Sequence, residues 1–310
     1  MTFEQLQIFV AVAEREHLTQ AAAAVGRTPS AVSSAIKALE RYYGVELFHR
    51  VGRRIELTRV GNVFLAEARA TLARVRSAET MLSELGGLRR GALAIHASQT
   101  IASYWLPPVL MRFHERYPGI ALNLTVGNTR QVAEAMLEGT AEVGLVEGAV
   151  SEPALAVRTV DRDVLAVVVA PGHPWADGRL LAPRELVSGS AWIMREEGSG
   201  TRTAFESALG GMGVDPQGLN VVLAFPSNEA VLSAVRSGPC AAAVSMAAAS
   251  PLIERGMLSV AGIELGARAF SLLRHKERRQ SAASTALEEL CMEAGNVFQS
   301  SAAPHIFPRP

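Results

Sequence analysis

Two helix signatures separated only by Gly26-Arg27 constrain the start of this 310-residue chain more tightly than any other feature. The first is short and alanine-rich; Thr19 is placed as its N-cap, and Gly26 can take the left-handed conformation that stops it. The second opens with Thr28 as N-cap and Pro29 at the first helical position, where a missing amide costs nothing. Thr2 with Gln5 three residues on forms a capping box for an earlier helix, whose Leu6, Phe9, Val10 and Ala13 share one face. Val32, Ile36 and Leu39 turn the third helix inward. Ser30, Ser33, Ser34 and Lys37 are left on its other side, short or basic groups suited to phosphates and base edges. Val45, Leu47 and Phe48 read as a strand, residues 51–54 as a turn containing Gly52, and Ile55 to Leu57 as a returning strand. Arg50, Arg53, Arg54 and Arg59 surround that hairpin with Glu56 alone opposing them. Helix, short helix, turn, polar-faced helix and basic hairpin within residues 1–58 are the order of a winged helix-turn-helix, and double-stranded DNA is its expected partner.

Net charge is zero, but residues 1–90 hold 13 Lys and Arg against 9 Asp and Glu, so the basic excess sits with this unit. With 49% hydrophobic and 19% charged residues the chain is an ordinary globular one. It shows no apolar run long enough for a membrane span and no basic-then-apolar leader, so a cytoplasmic location and no membrane partner are expected. Cys240 and Cys291 are too few and too far apart for a disulfide scaffold or a paired-cysteine metal site, and neither metal nor cofactor is expected.

From a cap at Thr58 to about Leu85 the chain lacks proline and is rich in helix formers. Leu65, Ala68, Leu72, Val75 and Leu82 recur at near-heptad spacing, as a linker helix (residues 59–90, with its hinge) pairing with its twin would need. A helix lying on its own domain has the same pattern. Gly86, Gly87 and Gly91 are expected to form the hinge. Beyond it, short apolar runs alternate with helices: Ala92 to Ala97, Ile120 to Val126, Val143 to Val146, Val164 to Ala170, Ala191 to Met194, Val221 to Phe225 and Ala241 to Ser245. Alternation of this kind means an α/β domain with a mostly parallel sheet, over about residues 91–300. Residues 301–310 read as a flexible tail.

In such folds ligands lie where strand ends meet helix N-termini. Ser98-Gln99-Thr100, Asn128-Thr129, Ser199-Gly200-Thr201-Arg202 and Ser227-Asn228 occupy those junctions. Each cluster alone could be a simple helix cap; together they point to a site for a small polar or anionic effector, with Arg202 and Arg130 near. Tyr104 and Trp105 are assigned to the core. Ser199 lacks the flanking glycines of a nucleophile elbow, since Glu197 and Thr201 stand there. His173, His275 and His305 are dispersed without metal-ligand spacing, so capping or surface roles are expected. Residues 274–279 read as a solvated charged face, and Cys240 as a packing thiol, with a redox-sensing role as the alternative. No catalytic residue is assigned.

Residues 19–40, with Gly44, Leu47-Phe48, Arg50 and Leu57-Thr58-Arg59-Val60-Gly61, closely follow the N-terminal pattern of LysR-type transcriptional regulators, and the resemblance runs through nearly the whole chain. Where that family commonly has Gln and Arg, this chain has Pro29 and Ser34, so the family's target sequence does not transfer. Ser98 to Pro107, Gly127-Asn128-Thr129 and Glu197 to Arg202 resemble regulators of sulfur and carbon assimilation. The resemblance implies a homodimer or homotetramer, RNA polymerase as a further partner, and an effector domain of two subdomains like type 2 periplasmic binding proteins. These would be about residues 92–161 with 267–300, and 162–266, joined by two crossings. A solute-binding protein and a cleft enzyme are the rival readings; the N-terminal unit opposes the first, and the absence of a triad the second.

Overall fold

The computed structural model describes residues 1–51, 54–84 and 91–300. They form two compact units, one built on Met1–Leu82 and one on the residues beyond. The turn residues Gly52 and Arg53, the glycines 86 and 87, His305 and the tail lie outside the described residues.

In the first unit α1 (Phe3–Arg15) carries the expected capping box: the Gln5 amide donates to Thr2 Oγ1 (3.2 Å), and the Thr2 amide to Gln5 Oε1 (2.9 Å). α2 (Leu18–Ala24) starts one residue before the expected cap. His17 is its N-cap, without a side-chain bond, and Thr19 lies inside its first turn. α3 (Pro29–Tyr43) opens as expected, Thr28 Oγ1 accepting from the Ala31 amide (3.3 Å). Gly44, at φ 67°, closes it. Glu40 then turns its carboxylate back onto the chain and accepts from the amides of Leu47 (2.9 Å) and Phe48 (3.2 Å), fixing the entry to the wing. The wing is the antiparallel pair β1 (Phe48–Val51) and β2 (Arg54–Leu57), which begins later than the Val45 expected.

α4 (Arg59–Glu84) is capped by Thr58, whose Oγ1 accepts from the Gly61 amide (3.0 Å). Gly61 sits so close to the wing that a β-carbon there would lie 2.1 Å from the Leu47 carbonyl oxygen. Ala68 and Leu72, expected in a seam facing a twin helix, are buried in this unit's own core with Phe9, Val12, Ile36 and Leu39. The apolar period on α4 is therefore used at home in its first half. Val60, Val63, Met81 and Leu82 are large apolar residues left exposed on it.

In the second unit β3 (Gly91–Ser98) leads through α5 (Gln99–Tyr104) and α6 (Leu106–Arg116) to β4 (Ile120–Gly127), and α7 (Thr129–Glu138) to β5 (Val143–Glu147); the three strands are parallel. β6 (Leu155–Val169) is far longer than the Val164 to Ala170 strand expected. After α8 (Glu185–Ser188) come β7 (Ala191–Arg195), α9 (Gly200–Gly211), β8 (Val221–Phe225), α10 (Asn228–Ser237), β9 (Cys240–Ser245), α11 (Met246–Glu254), β10 (Ser259–Val260), β11 (Ala267–His275) and α12 (Ala282–Ser300).

The strand order is β4-β3-β5-β11-β6-β9-β7-β8, with β10 on β6. β11 runs antiparallel to β5 and β6, and β6 antiparallel to β9 and β10, so the sheet is mixed where mostly parallel pairing was expected. The antiparallel centre follows from connectivity. β6 pairs with β11 along residues 155–164 and with β9 along 165–169, passing from one half of the sheet to the other as a single strand, and β11 returns beside it. Val167, Val168 and Val169 are fully buried because separate apolar clusters cover the two faces of the second half, one around Trp175, Trp192 and Phe205, the other around Val231, Val235 and Val244.

Candidate functional site

Two groupings of polar side chains stand apart from this packing. The first is on α3. At 100° per residue, Ser30, Ser33, Ser34, Lys37 and Arg41 fall within one narrow sector, opposite the buried Val32, Ile36 and Leu39. Ser30, Ser34, Lys37 and Arg41 are exposed and Ser33 half-buried. Arg41 extends the expected face by one turn. It was absent from the sequence-based set, although its position four residues after Lys37 was the available signal. Thr28 Oγ1 also lies 3.1 Å from Ser30 Oγ, so the cap steadies the first residue of the face. Arg50 and Arg54 are exposed on the wing strands, in the neighbouring ladder pairs Arg50 with Ile55 and Val51 with Arg54. Thr19 and Pro29 are exposed at the starts of α2 and α3.

The second grouping lies where the two halves of the sheet meet. Ser98 is fully buried and makes no side-chain cap for α5; its hydroxyl donates to the Glu147 carboxylate at the end of β5. Thr129 Oγ1 donates to the Glu147 carbonyl (3.0 Å). Asn128 and Gln131 cap α7 reciprocally, and the Asn128 amide nitrogen also donates to the Glu197 carbonyl (3.3 Å) while the Arg130 amide donates to Gly198 (3.2 Å). Ser199 caps α9 by accepting from the Thr201 amide. Gly200 packs directly on the end of β5. Ser227 caps α10, and Asn228 is fully buried: its Nδ2 donates to Thr100 Oγ1 (3.0 Å), its Oδ1 accepts from Arg195 Nη1 (3.0 Å), and its amide donates to Gln99 Oε1 (3.1 Å). Residues from four separate helix starts thus meet at one junction.

Arg202 is the exception. Its Nε donates to Glu206 Oε1 (2.7 Å) on its own helix, and Arg130 lies beside Glu134 in the same i,i+4 relation. The charged residues that do join the junction are ones the sequence reading missed. Arg195, at the end of β7, is held by both carboxylate oxygens of Glu196 (2.8 and 3.0 Å). Asp163 on β6 accepts from Ser245 Oγ (2.7 Å) and Arg268 Nε (2.8 Å), and Arg268 Nη1 donates to Thr201 Oγ1 (2.9 Å). Burial pushes the Asp163 carboxyl up in spite of Arg268 and Ser245. A charge closing or interrupting an apolar strand was the signal here, as in Val143-Gly144-Leu145-Val146-Glu147 and Trp192-Ile193-Met194-Arg195.

Tyr104, expected in the core, packs half-buried against the cluster around Val231 and Val244, and its hydroxyl donates to Glu229 Oε1 (2.8 Å), which Gln99 Nε2 also reaches (3.1 Å). Burial would raise the Glu229 carboxyl, but the bonds from Tyr104 and Gln99 outweigh it and hold the group below its ordinary value. Trp105 is in the core as expected, donating to Asp161 (2.7 Å). His173 is a capping histidine, its Nδ1 accepting from the Trp175 amide (3.1 Å). Residues 274–279 are less solvated than expected, because Arg278 Nη2 donates to the Leu137 carbonyl (2.6 Å) at the end of α7. Among the described residues no group of His, Cys, Asp and Glu is arranged to hold a metal, and no helix is long and apolar enough to cross a membrane.

Residues 3–62 match the family described as bacterial regulatory helix-turn-helix protein, lysR family, and residues 86–296 match the LysR substrate binding domain. The chain is a LysR-type transcriptional regulator. The regulator is 31% identical to the uncharacterized HTH-type transcriptional regulator YeiE of Escherichia coli K12 over 94% of its own length and 97% of that protein. It is 33% identical to the HTH-type transcriptional regulator CbbR of Rhodospirillum rubrum over 84% and 85% of the two chains. Its fold is that of full-length CbnR, solved in complex with its target DNA: TM-score 0.67 at 21% identity, covering 95% of the regulator and all of that chain. The family excludes the cleft-enzyme and solute-binding-protein readings, and the two groupings correspond to its two matched regions.

Proposed function

We propose that the regulator binds double-stranded promoter DNA in the cytoplasm as a homodimer or homotetramer, and that a small polar or anionic effector at the junction of residues 98–100, 128–129, 199–201 and 227–228 alters how the paired winged units grip and bend it. The observation that carries the DNA reading is the single polar sector of α3, with no acidic residue between Ser30 and Lys37. Ser30, Ser33, Ser34 and Lys37 enter the major groove, with Arg41 reaching a phosphate. Thr19, Thr28 and Pro29 approach the backbone at the helix starts, and Arg50, Arg53 and Arg54 bring the wing to the neighbouring phosphates. Pro29 and Ser34 give fewer bidentate base contacts than Gln and Arg would, so shape readout and the wing carry more of the affinity.

Support for the effector comes from Ser98, Thr100, Thr129 and Thr201, all buried hydroxyls at strand-to-helix junctions. The surfaces that favour self-association are the edge strands β4 and β8, which expose Leu124 and Val126 on one and Val221 to Leu223 on the other, and the apolar residues left outside on α4. RNA polymerase is the further partner on the promoter.

Retardation of the regulator's own upstream intergenic DNA tests the first part; a folded dimer that leaves this DNA unshifted at low salt refutes it. Calorimetry against sulfate, sulfite, thiosulfate, acetylserine and phosphorylated sugars tests the second, and heat from an apolar ligand alone refutes it.

A further inference from the structure

We propose that Arg268 holds the effector directly, donating from its Nη2 to an oxygen of the ligand; this rests on the reading of the junction as the effector site. Arg268, the second residue of β11, is 6% exposed. Two of its three nitrogens are engaged, Nε with Asp163 Oδ2 and Nη1 with Thr201 Oγ1. Nη2 lies 2.7 Å from the same Asp163 Oδ2, but out of line for a hydrogen bond, and is left without an acceptor. An ion contact of that kind balances charge while leaving the buried Nη2 without a hydrogen-bond acceptor, which native interiors rarely tolerate.

The surroundings suit an oxygen-bearing ligand. Thr201 and Gly200 approach from the start of α9, and Ser98 and Thr129 from the starts of the helices after β3 and β4. Glu147 does not take up the free donors: one of its oxygens accepts from Ser98, and the other is 4.0 Å from Nη1. The other buried arginine of the junction has no free edge, because Arg195 has an acceptor at each nitrogen, from Glu196, Asn228 and the Pro226 carbonyl. Arg268 also sits on the strand that returns between the halves of the sheet, so a ligand oxygen drawn to Nη2 would be tied to β11, to β6 through Asp163 and to α9 through Thr201 at once. The class of ligand indicated is an oxyanion or a carboxylate, recognised through a planar guanidinium edge.

The test is calorimetry of the full chain with sulfate, sulfite, thiosulfate and acetylserine, on the wild type and on Arg268→Lys. Lysine keeps the charge beside Asp163 but has no second nitrogen edge. Whichever probe binds the wild type should bind the variant about 10- to 100-fold more weakly, the loss of a charge-assisted hydrogen bond, while DNA retardation is retained. Equal affinity in the two proteins overturns this inference and leaves the effector reading standing; no binding of any probe to the wild type overturns both. Should the lysine variant fail to fold, the crystal structure of the wild type with the bound probe decides. A ligand oxygen within hydrogen-bond distance of Arg268 Nη2 is expected, and a ligand bound elsewhere overturns the inference.

Discussion

Gly200→Ala isolates the close approach on which the junction depends. A β-carbon at residue 200 would lie 2.0 Å from the Glu147 carbonyl oxygen and 2.5 Å from Thr129 Oγ1, whereas real β-carbons stay beyond 3.0 Å, so α9 and the end of β5 must part by about 1 Å. That separation breaks or stretches the bonds bridging the same place, from Thr129 Oγ1 to the Glu147 carbonyl (3.0 Å) and from the Arg130 amide to Gly198 (3.2 Å). Overpacking costs about 1–3 kcal/mol, and each broken hydrogen bond about 1 kcal/mol. Alanine returns at most about 1 kcal/mol through helix propensity. The net is a destabilisation of about 2–4 kcal/mol, which in a unit of this size lowers Tm by about 5–15 °C. Scanning calorimetry of the full chain reads it. Gly210→Ala, ten residues along the same helix with nothing within 4 Å of its would-be β-carbon, is the control and should be neutral or slightly stabilising. If Gly200→Ala melts with Gly210→Ala, the close approach of α9 to β5 is not part of the native fold and the reasoning fails.

Glu40→Ala removes the acceptor for the Leu47 and Phe48 amides and should destabilise the first unit by about 2 kcal/mol, read by urea unfolding. Native alkylation should label the half-buried Cys240 and spare Cys291, whose thiol burial and the nearby Glu288 push up to about 12; mass spectrometry showing Cys291 modified first would contradict this. Burial lowers the pKa of His96 and His173, so the unfolded chain takes up protons on these side chains that the folded chain does not. Their contribution to stability is present above the ordinary histidine pKa and is lost as pH falls through it. Unfolding followed between about pH 7.5 and 5.5 should show stability declining, less steeply in His173→Gln.

The first 58 residues were legible because their determinants are local. Thr2, Thr28 and Thr58 cap helices within three residues of themselves, Gly44 stops one, and the inward spacing of Val32, Ile36 and Leu39 needs no knowledge of the rest of the chain. The start of α2 was misplaced because Thr19 is a good cap by composition, yet its side chain is not the one the backbone uses. β6 was half missed: Leu155 to Asp163 mixes apolar and charged residues without a regular period of two, and its partner β11 is more than 100 residues away. The same distance hid the pairing of Asp163 with Arg268, of which only a charge interrupting a strand was visible. Hydroxyls and amides at helix starts announce themselves through capping chemistry, whereas the bond from Arg268 to Asp163 joins residues 105 apart and leaves no local trace. Arg202 was chosen because it follows a cap, and Glu206 one turn later, which neutralises it, had the same local visibility.

The salt dependence of binding to the upstream intergenic duplex, followed by fluorescence anisotropy, tests most directly whether α3 and the wing are the surface that meets DNA. Lys37→Ala, Arg41→Ala, Arg50→Ala and Arg54→Ala should each weaken binding to all sequences and flatten the slope of log K against log salt by about one unit for each phosphate no longer neutralised. Ser33→Ala should change preference among sites with the slope unaltered. Slopes identical to the wild type in all four basic variants, with the fold intact, would contradict the account.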